Sequence, residues 1–92
     1  MLNVGVIGCG YWGPNLIRNF NQNNTCRMKV ACDLKKERLA HIKELYPEIQ
    51  VVANFEEVMK DESIDALAIA TPVNTHFSLV EMALNQGKHV LS

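Results

Sequence analysis

The chain has 92 residues, of which 48% are hydrophobic and 21% charged, and its formal net charge is −1. This length allows at most one domain, and the dispersed, balanced charge without a basic stripe argues against nucleic acid as a partner. Three cysteines without C-x-x-C spacing argue against a disulfide scaffold or a zinc site and favour a reducing, cytoplasmic compartment. The absence of a long apolar run or a basic leader predicts no membrane segment and no signal peptide.

Short β-branched runs alternate along the chain with longer segments of helical periodicity. The runs predict strands at 2–8, 27–33, 49–53, 65–71 and 89–92. The first two helices are predicted at 13–23 and 35–46, and a short third helix begins after a cap at Asn54. The fourth helix is predicted to run from a cap at Asn74 or Thr75 to Gln86. This alternation is typical of an α/β fold. We expect a Rossmann-type doubly wound parallel sheet in strand order 3-2-1-4-5, since right-handed crossovers leave few alternatives.

Apolar spacing within the helices predicts which side chains face the sheet. The residues predicted to be buried are Gly13, Leu16, Ile17 and Phe20 in the first helix, Leu39, Ile42 and Tyr46 in the second, Phe55, Val58 and Met59 in the third, and Phe77, Val80 and Leu84 in the fourth. Glu57 is predicted to complete a capping box with Asn54, and Gly87 to end the last helix in a left-handed conformation.

A glycine motif connects the first strand to the first helix. Gly8, Gly10 and Gly13 match G-x-G-x-x-G in the context where this motif indicates dinucleotide binding. Gly8 permits a tight turn, Gly10 lets a pyrophosphate approach the main chain, and Gly13 lets the helix pack closely. Pro14 suits the first helical turn, whose free N–H groups and dipole favour an anion.

Asp33 ends the second strand, 20 residues after Gly13. This is where an acid that binds the adenosine ribose hydroxyls is expected, although Asp33 can also simply cap the next helix. Its charge would repel a 2′-phosphate, and it is followed by Leu34, which can pack on adenine, rather than by arginine. The sequence therefore favours NAD over NADP, with Lys35 and Lys36 leaving some room for NADP.

Two further features flank the predicted cofactor. Tyr11 and Trp12 either pack against neighbouring loops or help to wall the pyrophosphate groove. The segment "ATPVNTH" at 70–76 follows the fourth strand, across the switch point from the glycine loop, where open α/β sheets bind ligands. Asn74 and His76 can reach a cofactor or substrate from there, or serve as an ordinary N-cap and first-turn residue.

The combined motifs resemble those of a known family. "VGVIGCGYWGPNLIRNF", "ACDLKKERL", "IDALAIATPVNTHFSLVEMAL" and "GKHVLS" are similar to the N-terminal NAD(P)-binding Rossmann domain of the glucose-fructose oxidoreductase, inositol dehydrogenase and MocA (Gfo/Idh/MocA) family, and the resemblance covers all 92 residues. Within that family, "GYWGPN" is similar to sugar-nucleotide 3-dehydrogenases acting on UDP-N-acetylhexosamine or its uronic acid. The resemblance thus implies an NAD(P)-dependent oxidoreductase acting on a sugar or polyol.

The resemblance also implies a set of cofactor-binding residues. They are Gly8, Gly10, Tyr11, Trp12 and Gly13 at the pyrophosphate, Asp33 and Leu34 at the adenosine, and Ala70, Thr71, Pro72, Asn74 and His76 at the nicotinamide. The family's catalytic lysine lies in a Glu-Lys-Pro motif after the fifth strand, where this chain ends at Ser92. We therefore expect a partial domain, truncated before the sixth strand and lacking the C-terminal substrate domain, that binds cofactor with no catalytic residue of its own.

Other classes remain open from the residues alone. A non-catalytic redox-sensing or CoA-binding Rossmann module shares the strand–glycine–helix opening, and a methyltransferase half that binds S-adenosylmethionine also uses an acid after its second strand. We further expect a homo-oligomer, and we expect the isolated chain to self-associate or to be only marginally stable, because an unpaired fifth strand would leave an exposed sheet edge.

Overall fold

The computed structural model describes residues 2–10 and 13–91, apart from the side chain of Val73. Within them, strands and helices alternate along the chain. The elements are β1 (Leu2–Ile7), α1 (Gly13–Asn21), β2 (Cys26–Cys32), α2 (Lys36–Leu45), β3 (Gln50–Val52), α3 (Phe55–Lys60), β4 (Ala66–Ile69), α4 (Val73–Asn85) and β5 (His89–Leu91). Each predicted element is present, with its ends shifted by a residue or two.

The five strands form one parallel sheet in the order β3-β2-β1-β4-β5, which confirms the predicted fold. β1 lies between β2 and β4, with Ile7 opposite both Cys32 and Ile69. The carboxyl ends of these three strands therefore meet at one edge of the sheet. β4 is buried along its whole length, as expected for a central parallel strand.

Alternate residues of the strands build a separate core on each face of the sheet. Val6 packs with Ile17 and Ile42 beneath α1 and α2. On the opposite face, Ile7 packs with residues of α3 and α4, including Met59. Burying one such side chain contributes about 1.5–3 kcal/mol to the free energy of unfolding. Both helical layers are needed to stabilise the sheet, because each layer buries the apolar side chains of one face. This two-sided arrangement is the doubly wound architecture.

The start and inner face of α4 differ from the prediction. The N-cap is Pro72, and neither Asn74 nor Thr75 caps the helix with its side chain. Phe77 and Leu84 were expected in the core but are 81% and 58% exposed. Leu79 and Ala83 are buried instead, with Val80 and Met82 partly buried against them. The apolar spacing of α4 fits two different faces, and packing against β4 and β5 selects the second.

Two local predictions are confirmed, the first of them in part. Asn54 caps α3 by accepting the Glu56 N–H at 2.9 Å, without the reciprocal Glu57 contact of a full capping box. Gly87 ends α4 with a φ of +76°, in the left-handed region. Among the described residues, no helix combines the length and the apolar character that crossing a bilayer requires.

Candidate dinucleotide-binding site

The loops after β1 and β4 lie side by side at the carboxyl edge of the sheet. The Ala70 N–H donates to the Ile7 carbonyl at 2.8 Å, and the Gly8 N–H donates to the Cys32 carbonyl at 2.8 Å. These bonds extend the strand pairing into both loops. After β1 the chain passes to the face covered by α1 and α2, and after β4 it passes to the opposite face. The two loops therefore flank the topological switch point of the sheet, where ligands bind.

Gly8 has no alternative at its position in the loop. Its φ is +97°, and a Cβ there would lie 2.8 Å from the Ala70 carbonyl oxygen and 3.2 Å from Thr71 Cγ2. Gly13 packs directly on the Gly8 carbonyl, where a Cβ would clash with the main chain. The predicted close packing of Gly13 is thus observed, with the loop itself as the partner.

Asp33 lies immediately beyond β2 and is 7% exposed. Its Oδ2 accepts the Cys9 main-chain N–H at 2.7 Å, and its Oδ1 accepts the Lys35 N–H at 2.8 Å. A carboxylate offers about four acceptor positions, so Asp33 keeps capacity for a ligand hydroxyl. The predicted ribose acid therefore fixes the glycine loop and the start of α2 at the same time.

Arg38, on α2, reaches back to this carboxylate. Its Nη1 lies 3.4 Å from Asp33 Oδ2, and the Arg38 side chain is 41% exposed. The same Nη1 would lie 2.9 Å from a Cβ on Gly10, so the guanidinium covers the second glycine of the motif. The sequence analysis missed Arg38. A cation five residues after the strand-end acid, on the first turns of the following helix, was the available signal.

The site contains two buried thiols, those of Cys9 in the glycine loop and Cys32 at the end of β2. Burial, with the nearby Asp33 carboxylate, raises the pKa of Cys9 from 9.0 to about 12. Burial and the charges of Asp33 and Glu57 raise the pKa of Cys32 to about 12. Both thiols stay protonated at neutral pH and act as small apolar side chains, which suits the tight space beneath the loop.

The second loop contains a buried polar atom without a hydrogen-bond partner among the described residues. Thr71 Oγ1 is buried and forms no hydrogen bond within the part of the chain that is described. Such an atom carries a desolvation cost that a ligand donor or acceptor can relieve. Thr71 borders Gly8 through its Cγ2, in the loop that the family resemblance assigns to the nicotinamide side.

The remaining predicted residues surround this centre in different ways. Asn74 is exposed and is not the N-cap of α4, so that alternative role is wrong. His76 is half-buried, and its main-chain N–H donates to the Pro72 carbonyl at 2.9 Å, as in the ordinary first turn of a helix. Leu34 is 79% exposed and available to an adenine ring. The predicted roles of Tyr11 and Trp12 fall on residues outside the described ranges.

Two open cavities lie away from this edge of the sheet. One, of about 300 Å³, borders Leu2, Asp65 and Lys88 at the amino ends of the strands. The other, of about 380 Å³, lies beside Val30, Val52 and α3. Neither includes the glycine loop or Asp33. The candidate site is recognised by its main-chain geometry and its polar groups, which decide what can bind.

A nucleotide with a pyrophosphate and a ribose fits the groups present. The main chain carries no Cβ at Gly8, Gly10 and Gly13, the start of α1 favours an anion, and Asp33 can accept ribose hydroxyls. Strand, loop, helix and acid together define a dinucleotide-binding Rossmann domain. Residues 2–92 match the Gfo/Idh/MocA model, described as an oxidoreductase family with an NAD-binding Rossmann fold. The chain belongs to this family.

Named relatives agree with that assignment. The chain is 40% identical over 90 residues to the uncharacterized oxidoreductase YdgJ of Escherichia coli, covering 98% of this chain and 25% of YdgJ. It is 27% identical over 89 residues to the myo-inositol 2-dehydrogenase of Thermotoga maritima, covering 97% of this chain and 27% of that enzyme. The chain thus spans about a quarter of the length of these relatives.

Solved structures show the same fold. A scyllo-inositol dehydrogenase from Lactobacillus casei, with bound NAD(H) and scyllo-inositol, superposes with a TM-score of 0.88. It is 26% identical, and the match covers 98% of this chain and 27% of that one. The predictions of the family and of NAD as cofactor are confirmed. Inositol dehydrogenases and other oxidoreductases do not support the narrower sugar-nucleotide subtype.

Proposed function

We propose that this chain is the dinucleotide-binding part of an oxidoreductase that transfers hydride between a hydroxyl carbon of a sugar or cyclic polyol and NAD. The nicotinamide, when bound, supplies the hydride chemistry. This chain's own residues bind and orient the dinucleotide. The observation that carries the proposal is the buried Asp33 carboxylate bonded to the glycine loop, because it joins the pyrophosphate and ribose subsites in one rigid unit.

The pyrophosphate subsite in this proposal is the glycine loop with the start of α1. Gly10 carries no Cβ that would hinder the phosphates, Gly8 and Gly13 allow the close packing of the loop, and N–H groups of the first turn of α1 donate to the phosphates. The family resemblance assigns Tyr11 and Trp12 to the same subsite. Each of these contacts depends on main-chain position, which the bond between Asp33 and Cys9 holds in place.

The two ends of the cofactor contact different strands. Asp33 accepts the adenosine ribose hydroxyls after β2, and Leu34 packs on the adenine. After β4, Thr71 Oγ1 bonds the nicotinamide half and thereby gains a partner. Ala70, Pro72, Asn74 and His76 form the rest of that wall.

Isothermal titration of residues 1–92 with NADH tests the binding. We expect saturable one-to-one binding that is weakened at least about tenfold by Asp33→Ala, as befits loss of hydrogen bonds from a charged acceptor. Leu45→Ala, which changes an exposed residue at the far end of α2, is the matched control. Equal binding by wild type and the Asp33 variant would overturn the assignment of the ribose subsite.

The substrate class rests on the family and on the inositol dehydrogenases among its relatives. Sugar nucleotides are a narrower candidate, suggested by the "GYWGPN" loop alone. Scyllo-inositol, myo-inositol, glucose and a UDP-N-acetylhexosamine uronate, offered with NAD to a protein carrying this domain and a substrate domain, separate these candidates. Residues 1–92 alone are expected to form no NADH with any of them, and turnover would contradict this.

A non-catalytic nucleotide-binding module is the competing function. CoA and S-adenosylmethionine both bind Rossmann-like folds, but neither calls for the complete combination of glycine loop, ribose acid and Thr71-Pro72 turn. A melting screen with NADH, NADPH, CoA and S-adenosylmethionine distinguishes the classes. We expect NADH to raise the melting temperature most, and a larger shift with CoA or S-adenosylmethionine would favour the alternative.

A further inference from the structure

The outer flank of α4 is an exposed apolar surface that the proposed function does not use. Phe77 and Leu84 are 81% and 58% exposed on it, while Leu79 and Ala83 are buried on the side that faces the sheet. Of the 13 residues of α4, Glu81 alone carries a formal charge. A helix that is apolar on two sides is typical of one that is covered on both. An exposed apolar patch of this kind marks an interaction site.

This flank lies on the side of β5. Phe77 and Leu84 are about two turns apart on one line of the helix, about a third of a turn away from the buried Leu79 and Ala83. The right-handed crossover from β4 through α4 to β5 directs that line away from α3 and toward the β5 edge of the sheet. The exposed side chains therefore lie beside an edge strand.

The outer edge of β5 is free within residues 2–10 and 13–91, since β5 is the last strand of the sheet. The His89 N–H donates to the Asp65 carbonyl at 3.0 Å, on the β4 side. Because main-chain groups alternate along a strand, the N–H and the carbonyl of Val90 point away from β4. In an antiparallel pair, two directly opposed residues exchange both of these bonds. Val90 and its counterpart in a second copy can therefore satisfy each other across a two-fold axis.

The same axis brings the α4 helices of the two copies side by side. α4 contacts both β4 and β5, so it lies above the space between them. Paired strands are about 4.8 Å apart, which places the two copies of α4 about 10 Å apart, at the upper end of ordinary helix packing distances. The packing of the helices and the pairing of the edges are thus compatible in one arrangement.

The position of the axis along α4 also brings the exposed side chains together. The Lys88 N–H donates to the Ala83 carbonyl at 3.1 Å, which fixes the level of α4 relative to β5. From there to Val90, β5 rises by about 6.6 Å, and four residues of α4 rise by about 6 Å. An axis through Val90 therefore crosses α4 near its middle. Phe77 of one copy then lies within about a turn of Leu84 of the other.

Charge and area favour a second copy as the occupant of this surface. The net charge of −1 on the chain means that two copies repel each other little. Leu91, 50% exposed, points from β5 to the opposite face of the sheet, so both faces of the edge carry apolar side chains. Phe77, Leu84 and Leu91 together expose roughly 300 Å², a large part of the apolar share of the about 800 Å² that each partner buries in a stable complex.

We propose that α4 and β5 form the interface of a closed two-fold dimer of this chain. The two β5 strands pair antiparallel through Val90, and the two α4 helices pack side by side through Phe77 and Leu84. The pairing closes both free β5 edges, so it does not propagate through them. This inference is independent of the proposed function, because the candidate dinucleotide site lies at the carboxyl ends of β1, β2 and β4.

Sedimentation velocity of residues 1–92 over a series of concentrations tests the dimer. We expect a reversible monomer–dimer equilibrium. Phe77→Glu and Leu84→Lys should each weaken dimerisation at least about tenfold, because each places a charge against an apolar side chain of the other copy. Leu45→Lys changes a leucine that is 54% exposed on α2, on the opposite face of the sheet. It is the matched control and should leave the dissociation constant unchanged.

A mixing experiment tests the arrangement of the helices. Combining the Phe77→Glu and Leu84→Lys proteins should restore dimers, because the opposite charges meet in a mixed dimer and retain one apolar contact beside them. Val90→Pro removes the outward N–H, which a sheet edge tolerates, and should also dissociate the dimer. Melting curves of each variant establish that it is folded.

Three results would overturn the inference. Wild-type protein that stays monomeric at every concentration would leave the outer flank of α4 to a different protein segment. Dimers that persist in all three variants would place the second copy elsewhere, and species that grow beyond dimers would show open association. None of these results bears on NADH binding, which the titration of the proposed function measures separately.

Discussion

The Asp33 carboxylate accepts a hydrogen bond from the Cys9 main-chain N–H at 2.7 Å, joining the end of β2 to the glycine loop after β1. A second oxygen of the same carboxylate accepts the Lys35 N–H. Lys35 is the N-cap of α2, so this bond closes a turn ahead of the helix and does not cap a helical N–H group. Asp33 holds the glycine loop and the turn before α2, and its carboxylate keeps acceptor capacity for a ligand.

Asp33→Ala should destabilise the fold as well as weaken cofactor binding. The substitution leaves the buried Cys9 N–H without its acceptor, which costs about 1–3 kcal/mol in the free energy of unfolding. Urea denaturation measures the loss. Leu34→Ala, at an adjacent position that is 79% exposed, is the control and should change stability by less than about 0.5 kcal/mol. A stable Asp33→Ala protein would show that the loop does not depend on this bond.

Gly8→Ala and Gly87→Ala separate backbone strain from steric clash. Both glycines have positive φ, which costs about 1–2 kcal/mol for an L-residue. A Cβ at Gly8 also meets the Ala70 carbonyl at 2.8 Å, whereas nothing lies within 4 Å of one at Gly87. We expect thermal unfolding to show the larger loss for Gly8→Ala. Equal losses would mean that the loop after β1 can move away from the Ala70 carbonyl without a measurable cost in stability.

The two buried thiols predict a loss of stability in alkali. Their pKa of about 12 in the folded chain exceeds the ordinary 9.0, so the folded state holds these protons more tightly than the unfolded state. The resulting stability is fully present below pH 9.0 and is lost as the pH rises toward about 12. Urea unfolding at increasing alkaline pH should show a shallower decline for Cys9→Ala combined with Cys32→Ala. Parallel declines would contradict a role for the thiols.

Lys88 is a buried cation that links two connections at the amino edge of the sheet. It is 7% exposed, and its Nζ donates to the Asp61 and Ile64 carbonyls at 2.7 and 3.0 Å. Lys88→Met leaves both carbonyls without this donor and should cost about 1–3 kcal/mol by chemical denaturation. Lys60→Met, at an exposed position, should cost less than about 0.5 kcal/mol. Similar values for the two variants would rule out this structural role.

The exposed face of α4 provides a test of self-association. Phe77→Ala should change stability by less than about 0.5 kcal/mol because Phe77 is 81% exposed, whereas Leu79→Ala should cost about 2–5 kcal/mol. If the predicted homo-oligomer uses this face, sedimentation velocity will show Phe77→Ala shifted toward monomer. An unchanged distribution would place any self-association elsewhere, such as the β5 edge.

Local patterns in the sequence were enough to predict the sheet order and the glycine loop. Alternating strand and helix periodicities, together with right-handed crossovers, allow few topologies. The motif Gly8, Gly10 and Gly13 has meaning because of its position between β1 and α1, and both elements are marked by apolar patterns. Asp33 followed from its spacing for the same reason.

Contacts between residues far apart in sequence were decided by the tertiary structure alone. In α4 the apolar residues fit two faces, and only packing on the sheet buries Leu79 in place of Phe77. The approach of Arg38 to Asp33 and Gly10 depends on how α2 docks beside the glycine loop. Sequence periodicity reports which residues are apolar along an element, whereas the docking of elements decides which face is covered and which charges meet.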